Sequence, residues 1–364
     1  MTHDRVRRQA ERAIVRLCHA GIDSRTLRLE VLRQLRKVVP ADALFCATVD
    51  PATLLFTGSV VEEIPEHATQ AFLANEFFQD DVNKFAELAR AARPVRGLYE
   101  ATRGAPTESA RYREILAPLG FGDELRAALR VGSTTWGVVC LHRSLAHPGF
   151  TTEDVAFLER VSSHFAEGLR TALLVESAAP RAFEGPGLVV LAEDYSVISA
   201  TENAARWLDE LGDSPRRDEP PQAIRAVAAR LEAIERAGIA TPGLLPRARA
   251  QTRSGRWLLL HAARLFGGAE RQVAVIVEPA SPAEVAPLIM QAYGLTDREA
   301  QVAELVLRGL STSEIVGALS ITPLTVQQHL KAVFDKTGVH SRRELVARIF
   351  AQQYLPRMLG SADS

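Results

Sequence analysis

The sequence predicts a multidomain chain, two α+β units followed by an all-α unit of four helices. Three observations predict it. At 364 residues the chain exceeds the ~100–200 residues usual for one domain. Hydrophobic periodicity switches between the helical and strand repeats as far as residue 278, then stays helical. Two stretches of small residues and proline, Ser177-Ala178-Ala179-Pro180 and Pro279-Ala280-Ser281-Pro282, read as linkers. The boundaries fall at 1–176 and 186–278 for the two α+β units. A linker follows at 279–287, then the helical unit at 288–354 and a tail at 355–364.

The first unit opens with two helices. Val6, Ala10, Ala13, Ile14 and Leu17 recur at helical spacing, as do Leu27, Val31, Leu35 and Val38, and Pro40 stops the second. Strands follow at 43–49 and 54–60, then a helical middle at 66–78, 82–91 and 107–116. Strands at 124–131 and 135–142 turn through Gly132-Ser133. Thr151-Thr152-Glu153-Asp154 starts a long helix, with Thr151 able to accept from an exposed amide and Asp154 suited to the positive helix end. Helices on an antiparallel sheet is the α+β pattern. The second unit reads as strands at 188–192 and 196–200, helices at 202–211 and 223–236, then strands at 247–253, 256–266 and 272–278. Ser254-Gly255 and Gly267-Gly268 supply hairpin turns.

The last unit is written most explicitly. Thr296-Asp297-Arg298-Glu299, Ser311-Thr312-Ser313-Glu314 and Ser341-Arg342-Arg343-Glu344 all have the capping-box pattern. Thr322-Pro323 opens a helix over 323–336, with proline where its missing amide costs nothing and Gly338 placed to close it. On that helix Val326, Leu330, Val333 and Thr337 share one side and pack inward. Gln327, Gln328 and Lys331 project outward, with Thr325 near the start. An outward N-terminal half bearing amides and an ammonium is what a helix-turn-helix puts into the major groove. Glutamine pairs with adenine, and lysine donates to guanine or phosphate.

The 43 basic and 44 acidic residues leave a net charge of −1, which excludes a polybasic coat for unspecific adhesion to nucleic acid or membrane. No apolar run approaches the ~20 residues of a membrane span, and no secretory signal is visible, so a cytoplasmic chain is expected. Cys18, Cys46 and Cys140 form neither a disulfide framework nor a zinc motif. Cys46 and Cys140 read as buried small hydrophobes. His142 and His147 flank a strand end with no carboxylate or cysteine read at ligand spacing, so no metal or cofactor is expected. Asp50 ends an apolar strand as a phosphoacceptor would, but no acidic pair lies on an earlier strand. Neither a phosphate-binding glycine loop nor a hydrolase nucleophile elbow occurs, and no enzyme is expected.

Residues 295–299, 309–311, 314–315, Leu319, Thr325-Val326, His329, Lys336 and Gly338-Val339 stand at the spacing of the LuxR-type DNA-binding domain, which this segment of about 58 residues resembles. The resemblance implies double-stranded DNA as partner. Gln327, Gln328 and Lys331 would face the groove, Thr312, Ser313 and Thr325 lie near phosphates, Lys336 add a further contact, and His329 support the helix. Family members commonly carry Asn-Lys at Thr312-Ser313 and lysine at Gln327, so phosphate attraction should be weaker here. It also implies a homodimer, with Leu345, Ile349 and Tyr354 on the fourth helix as candidate contacts, packing inside the domain being the equal alternative.

Residues 20–175 resemble a GAF sensor domain, through the hairpin at 131–139 and the helix entry at 150–154. The second unit resembles a PAS-type domain, through its order of elements and the helix bearing Ala204-Ala205-Arg206-Trp207-Leu208. A small-molecule effector is compatible with both, and neither identifies a pocket residue. The whole reads as a transcription regulator modulated by its N-terminal units. Two rivals remain: a GAF-type redox enzyme, similar to methionine sulfoxide reductases and dependent on Cys46 and Cys140, and an interaction module whose last helices bind a protein such as RNA polymerase.

Overall fold

The computed structural model describes residues 2–174, 185–212, 219–238, 245–266 and 271–349. It divides into two compact units, one of residues 1–175 with 183–279, the other of 176–182 with 280–364.

In the first unit, α1 (Thr2–Cys18) and α2 (Ser24–Arg36) precede β1 (Ala43–Val49) and β2 (Phe56–Glu62). Then come α3 (Thr69–Phe77), the single turn α4 (Phe85–Leu88), β3 (Val95–Gly97) and a second single turn α5 (Leu98–Ala101). The hairpin β4 (Phe121–Val131) and β5 (Thr134–Ser144) leads into α6 (Thr152–Ala172). The strands form one antiparallel sheet in the order β2-β1-β5-β4-β3.

Side chains alternate across a sheet. A Cβ at Gly137 would stand 2.5 Å from Leu169 of α6, so the odd positions of β5 face α6. Its even positions, Trp136, Val138, Cys140 and His142, face the other way. Under the first face, α1, α2 and α6 bury Ile14, Leu27, Leu35, Phe157, Val161 and Phe165. A Cβ at Gly168 would meet Cys18 at 3.0 Å, so glycine there sets how closely α6 approaches α1. The reading of 82–91 and 107–116 as full helices is corrected: the first holds only α4, the second only short turns, and β3 and α5 were not foreseen.

The same unit continues with β6 (Gly187–Leu191), β7 (Val197–Ala200), α7 (Glu202–Leu211) and α8 (Gln222–Ala237). The strands β8 (Arg247–Gln251), β9 (Trp257–Arg264) and β10 (Val273–Pro279) complete it. A second antiparallel sheet runs β7-β6-β10-β9-β8, the same order as the first. Residues 222–229 of α8 are buried on every face, as expected of a helix covered on both sides. It packs on its own sheet while Arg230 donates to the Thr53 carbonyl and lies over Phe77. Arg249 of β8 meets Asp50 at 2.6 Å. The two sheets, expected as separate domains at 1–176 and 186–278, share one buried apolar cluster. The expected turn at Gly267-Gly268 and the linker at 177–180 lie outside the described residues.

In the second unit, residues expected as linker form α9 (Pro282–Ala292), capped by Ser281 and Glu284. Then follow α10 (Asp297–Leu307), α11 (Thr312–Leu319), α12 (Pro323–Thr337) and a further helix over 342–349, here α13. The four expected helices are therefore joined by a fifth. Among the described residues, no helix is long and apolar enough to cross a membrane.

Candidate nucleic-acid interface

Each helix of the second unit starts where its cap dictates. Thr296 accepts from the Glu299 amide while Glu299 accepts from the Thr296 amide at 2.7 Å, and Ser311 and Glu314 repeat the exchange. Thr322 accepts from the Thr325 amide. The third box is shifted by one: Glu344 accepts from the His340 amide at 2.8 Å, and Ser341 caps Glu344. Between α11 and α12, Ser320 takes the left-handed conformation at φ 53°, unusual for a residue other than glycine. Its left-handed backbone ends α11 and turns the chain toward α12.

The core beneath is Val302, Val306, Ile315, Val326, Leu330, Val333, Val339, Leu345 and Ile349. Burial of Val326, Leu330, Val333 and Thr337 orients α12, leaving Gln327, Gln328 and Lys331 exposed on its opposite side. Ser313 is exposed; Thr325 is half-buried, its hydroxyl 2.9 Å from that of Thr322. Thr312 accepts from Arg342 at 2.8 Å, and the same guanidinium donates to the Leu310 carbonyl, tying α13 to the start of α11.

Lys336 departs from the expected DNA contact. Its ammonium lies 2.6 Å from Glu299 Oε2 and donates to the Gly294 carbonyl, so it closes the domain instead of joining the face. Burial opposes the charged form of Glu299, but the bonds from Lys336 and the Thr296 amide outweigh it and hold its carboxyl below the ordinary value. The dimer contacts are likewise corrected. Leu345 and Ile349 are 0% and 2% exposed in the domain's own core, because they fall on the inward side of α13; Tyr354 lies outside the described residues. One exposed residue was missed: Leu324, 68% exposed in the first turn of α12. Its signal was an apolar residue out of phase with the buried stripe.

The first unit holds a second constellation. Even positions of β5 and the paired positions of β4 bring Glu124, Arg126, Cys140 and His142 onto the face turned away from α6. Arg111, 1% exposed, donates through Nη2 to Glu124 Oε2 at 2.6 Å and through Nη1 to Asn75 Oδ1 at 2.9 Å. Arg126 meets Glu76 at 2.8 Å. Burial alone would raise the Glu124 carboxyl, yet Arg111, Arg126 and His142 hold it down at about 2. Burial pushes His142 down to about 4, so its imidazole is neutral near neutrality. Burial and the neighbouring Glu124 drive the Cys140 thiol well up.

Cys140 is buried, as expected, and packs beside polar groups. Its Sγ stands 3.2 Å from Glu124 Oε1 and 3.4 Å from His142 Nε2. The reading that no cysteine or carboxylate stands at ligand spacing from His142 is corrected: Cys140 is two residues away on one strand face, and Glu124 comes from the next strand. His147 is elsewhere, exposed and bonded to Asp42. Cys46 pairs with Val139, not with Cys140, and so points through the opposite face; the two cannot form the disulfide that the redox alternative requires.

Residues 294–349 match the family described as bacterial regulatory proteins, luxR family, and residues 25–169 match the GAF domain. The HTH-type transcriptional regulator MalT of Serratia proteamaculans (strain 568) is 36% identical over 72 residues, 20% of this chain and 8% of that protein. The chain thus spans a small part of the curated relative it matches. Escherichia coli SdiA is similar at a TM-score of 0.34 and 11% identity, over 95% of this chain and 97% of that one. A GAF domain/HD domain protein from Geobacter sulfurreducens gives a TM-score of 0.33 and 19% identity, over 43% of this chain and 98% of that one.

Proposed function

From a chain that carries a GAF domain at 25–169 and a LuxR-type helix-turn-helix domain at 294–349, we propose a transcription regulator that binds double-stranded DNA as a homodimer. The observation that carries this reading is the polar face of α12, with Gln327, Gln328 and Lys331 exposed above a fully buried apolar back. Phosphate contacts fix register and base edges give the sequence. Ser313 and Thr325 stand near the helix starts, where hydroxyls and amides suit phosphate oxygens. The glutamines and Lys331 offer hydrogen bonds to purine edges, and Leu324 offers an apolar contact of the kind that thymine methyls receive. No bond is made or broken in this reading; binding is the act, and the first unit supplies its control.

We read the middle sheet, with its strand order β7-β6-β10-β9-β8, as PAS-like and as part of that control. A dimer on paired half-sites follows from charge. The segment 321–350 carries five basic and two acidic residues, and Lys336 is already neutralised, so one domain alone has little hold on a duplex.

The test is selection of bound sites from random duplex DNA with the full chain, against a Gln328→Ala/Lys331→Ala variant. The wild type should enrich a two-fold symmetric site. The variant should fold, as judged by its melting curve, and lose that enrichment. Enrichment by the variant of the same site would mean that another surface reads the bases.

A further inference from the structure

We infer that the first unit is also a metal-binding unit, in which Glu124, Cys140 and His142 hold a divalent first-row transition-metal ion of borderline softness, of the zinc(II) or iron(II) class. One carboxylate oxygen, one sulfur and one imidazole nitrogen converge within 4.8 Å of one another, all buried. The edges of a tetrahedral S, N, O donor set with bonds of 2.0–2.3 Å are about 3.3–3.5 Å long. Here the sulfur–oxygen and sulfur–nitrogen separations are 3.2 and 3.4 Å. All three donor atoms stand within 4.8 Å of one another, and an ion between them would draw the set together.

Both imidazole nitrogens face the cluster, with Nε2 3.4 Å from Cys140 Sγ. His142 Nδ1 is buried with no hydrogen-bond partner, 4.0 Å from Glu124 Oε1. The ring is positioned by Phe121, stacked at 5.1 Å, and by Phe72 at 5.8 Å, so it cannot readily turn elsewhere.

Charge selects the ion. Glu124, Glu76 and Asp81 face Arg111 and Arg126 across the cluster, so three carboxylates and a Cys140 thiolate against two guanidiniums leave the two negative charges that a divalent cation neutralises. On binding, the Cys140 S–H bond breaks, its proton passes to buffer, and a sulfur–metal bond forms; nothing is oxidised or reduced. A thiolate in the donor set favours an ion with strong sulfur affinity and disfavours magnesium and calcium. Three protein donors leave a coordination place for a small exogenous ligand, the open form of such sites.

The test uses full-length protein stripped with a chelator and titrated with cobalt(II) under anaerobic conditions. A thiolate-to-cobalt charge-transfer band in the near ultraviolet should saturate at one ion per chain, with one proton released per ion. Cys140→Ser should abolish the band and weaken binding by about tenfold or more, while Cys18→Ser and Cys46→Ser retain it. If Cys140→Ser fails to fold, X-ray absorption at the cobalt edge of the wild type decides, with one sulfur scatterer among nitrogen and oxygen expected. Absence of a saturable band, a band surviving in folded Cys140→Ser, or a shell without sulfur overturns the assignment.

Discussion

Glu299 serves two helices at once. One carboxylate closes the cap of α10 through the Thr296 amide and binds Lys336 from the last turn of α12, a position where cations suit the carbonyl end of a helix. Its depressed carboxyl pKa makes this bond a pH-dependent support. A group whose folded pKa lies below its unfolded one adds stability that is present above the ordinary carboxylate value and lost as pH falls through the depressed one. Glu299→Gln should therefore lower the stability of the second unit by about 2 kcal/mol at neutral pH, the size of a charge-assisted hydrogen bond. The gap to wild type should close in acid. Urea melts across that range check both statements, and a gap that persists once carboxylates are protonated would assign the loss to packing. The LuxR-type resemblance implied Lys336 as a DNA contact. It could not show that Glu299, far away in the chain, had already claimed the ammonium.

At the scale of elements, legibility follows the range of the interaction that fixes each one. Capping is local, so α10, α11 and α12 start at the residues that Thr296, Ser311 and Thr322 name. The outward face of α12 followed from its own periodicity. The helix α9 was taken for a linker because two prolines flank its start, although Ser281 and Glu284 form a box like the others. The trio Glu124, Cys140 and His142 was missed because a strand register, Glu124 opposite His142 and Arg126 opposite Cys140, brings it together. Nothing in a window of sequence reports that pairing.

The α12 face also carries a prediction. Gln327 stands exposed at the position where the LuxR-type resemblance implies lysine. Gln327→Lys should tighten binding to any duplex at low salt and steepen the dependence of log K on log salt by about 0.9 per added phosphate contact. Fluorescence anisotropy at several salt concentrations measures the slope. An unchanged slope with altered site preference would place this side chain over bases, away from phosphates.

At the scale of the first unit as a whole, the decisive feature is that two sheets of identical strand order share a core and a buried ion pair. Asp50 is 3% exposed and accepts from the Arg249 amide at 2.8 Å, from its Nε at 2.9 Å and from its Nη2 at 2.6 Å. Arg225 meets Glu66 nearby, and Gln70 donates to the Glu193 carbonyl at 3.0 Å. Such bonds are directional, and α8 is buried against both sheets, so a change around α3 or β2 has a rigid path to β8. Asp50→Ala would leave the Arg249 guanidinium buried without its carboxylate, a loss of about 3–5 kcal/mol. If the two sheets fold as one, hydrogen exchange should show β1–β5 and β6–β10 losing protection together, in a single thermal transition. Loosening confined to β6–β10 would mean that each sheet stands on its own core.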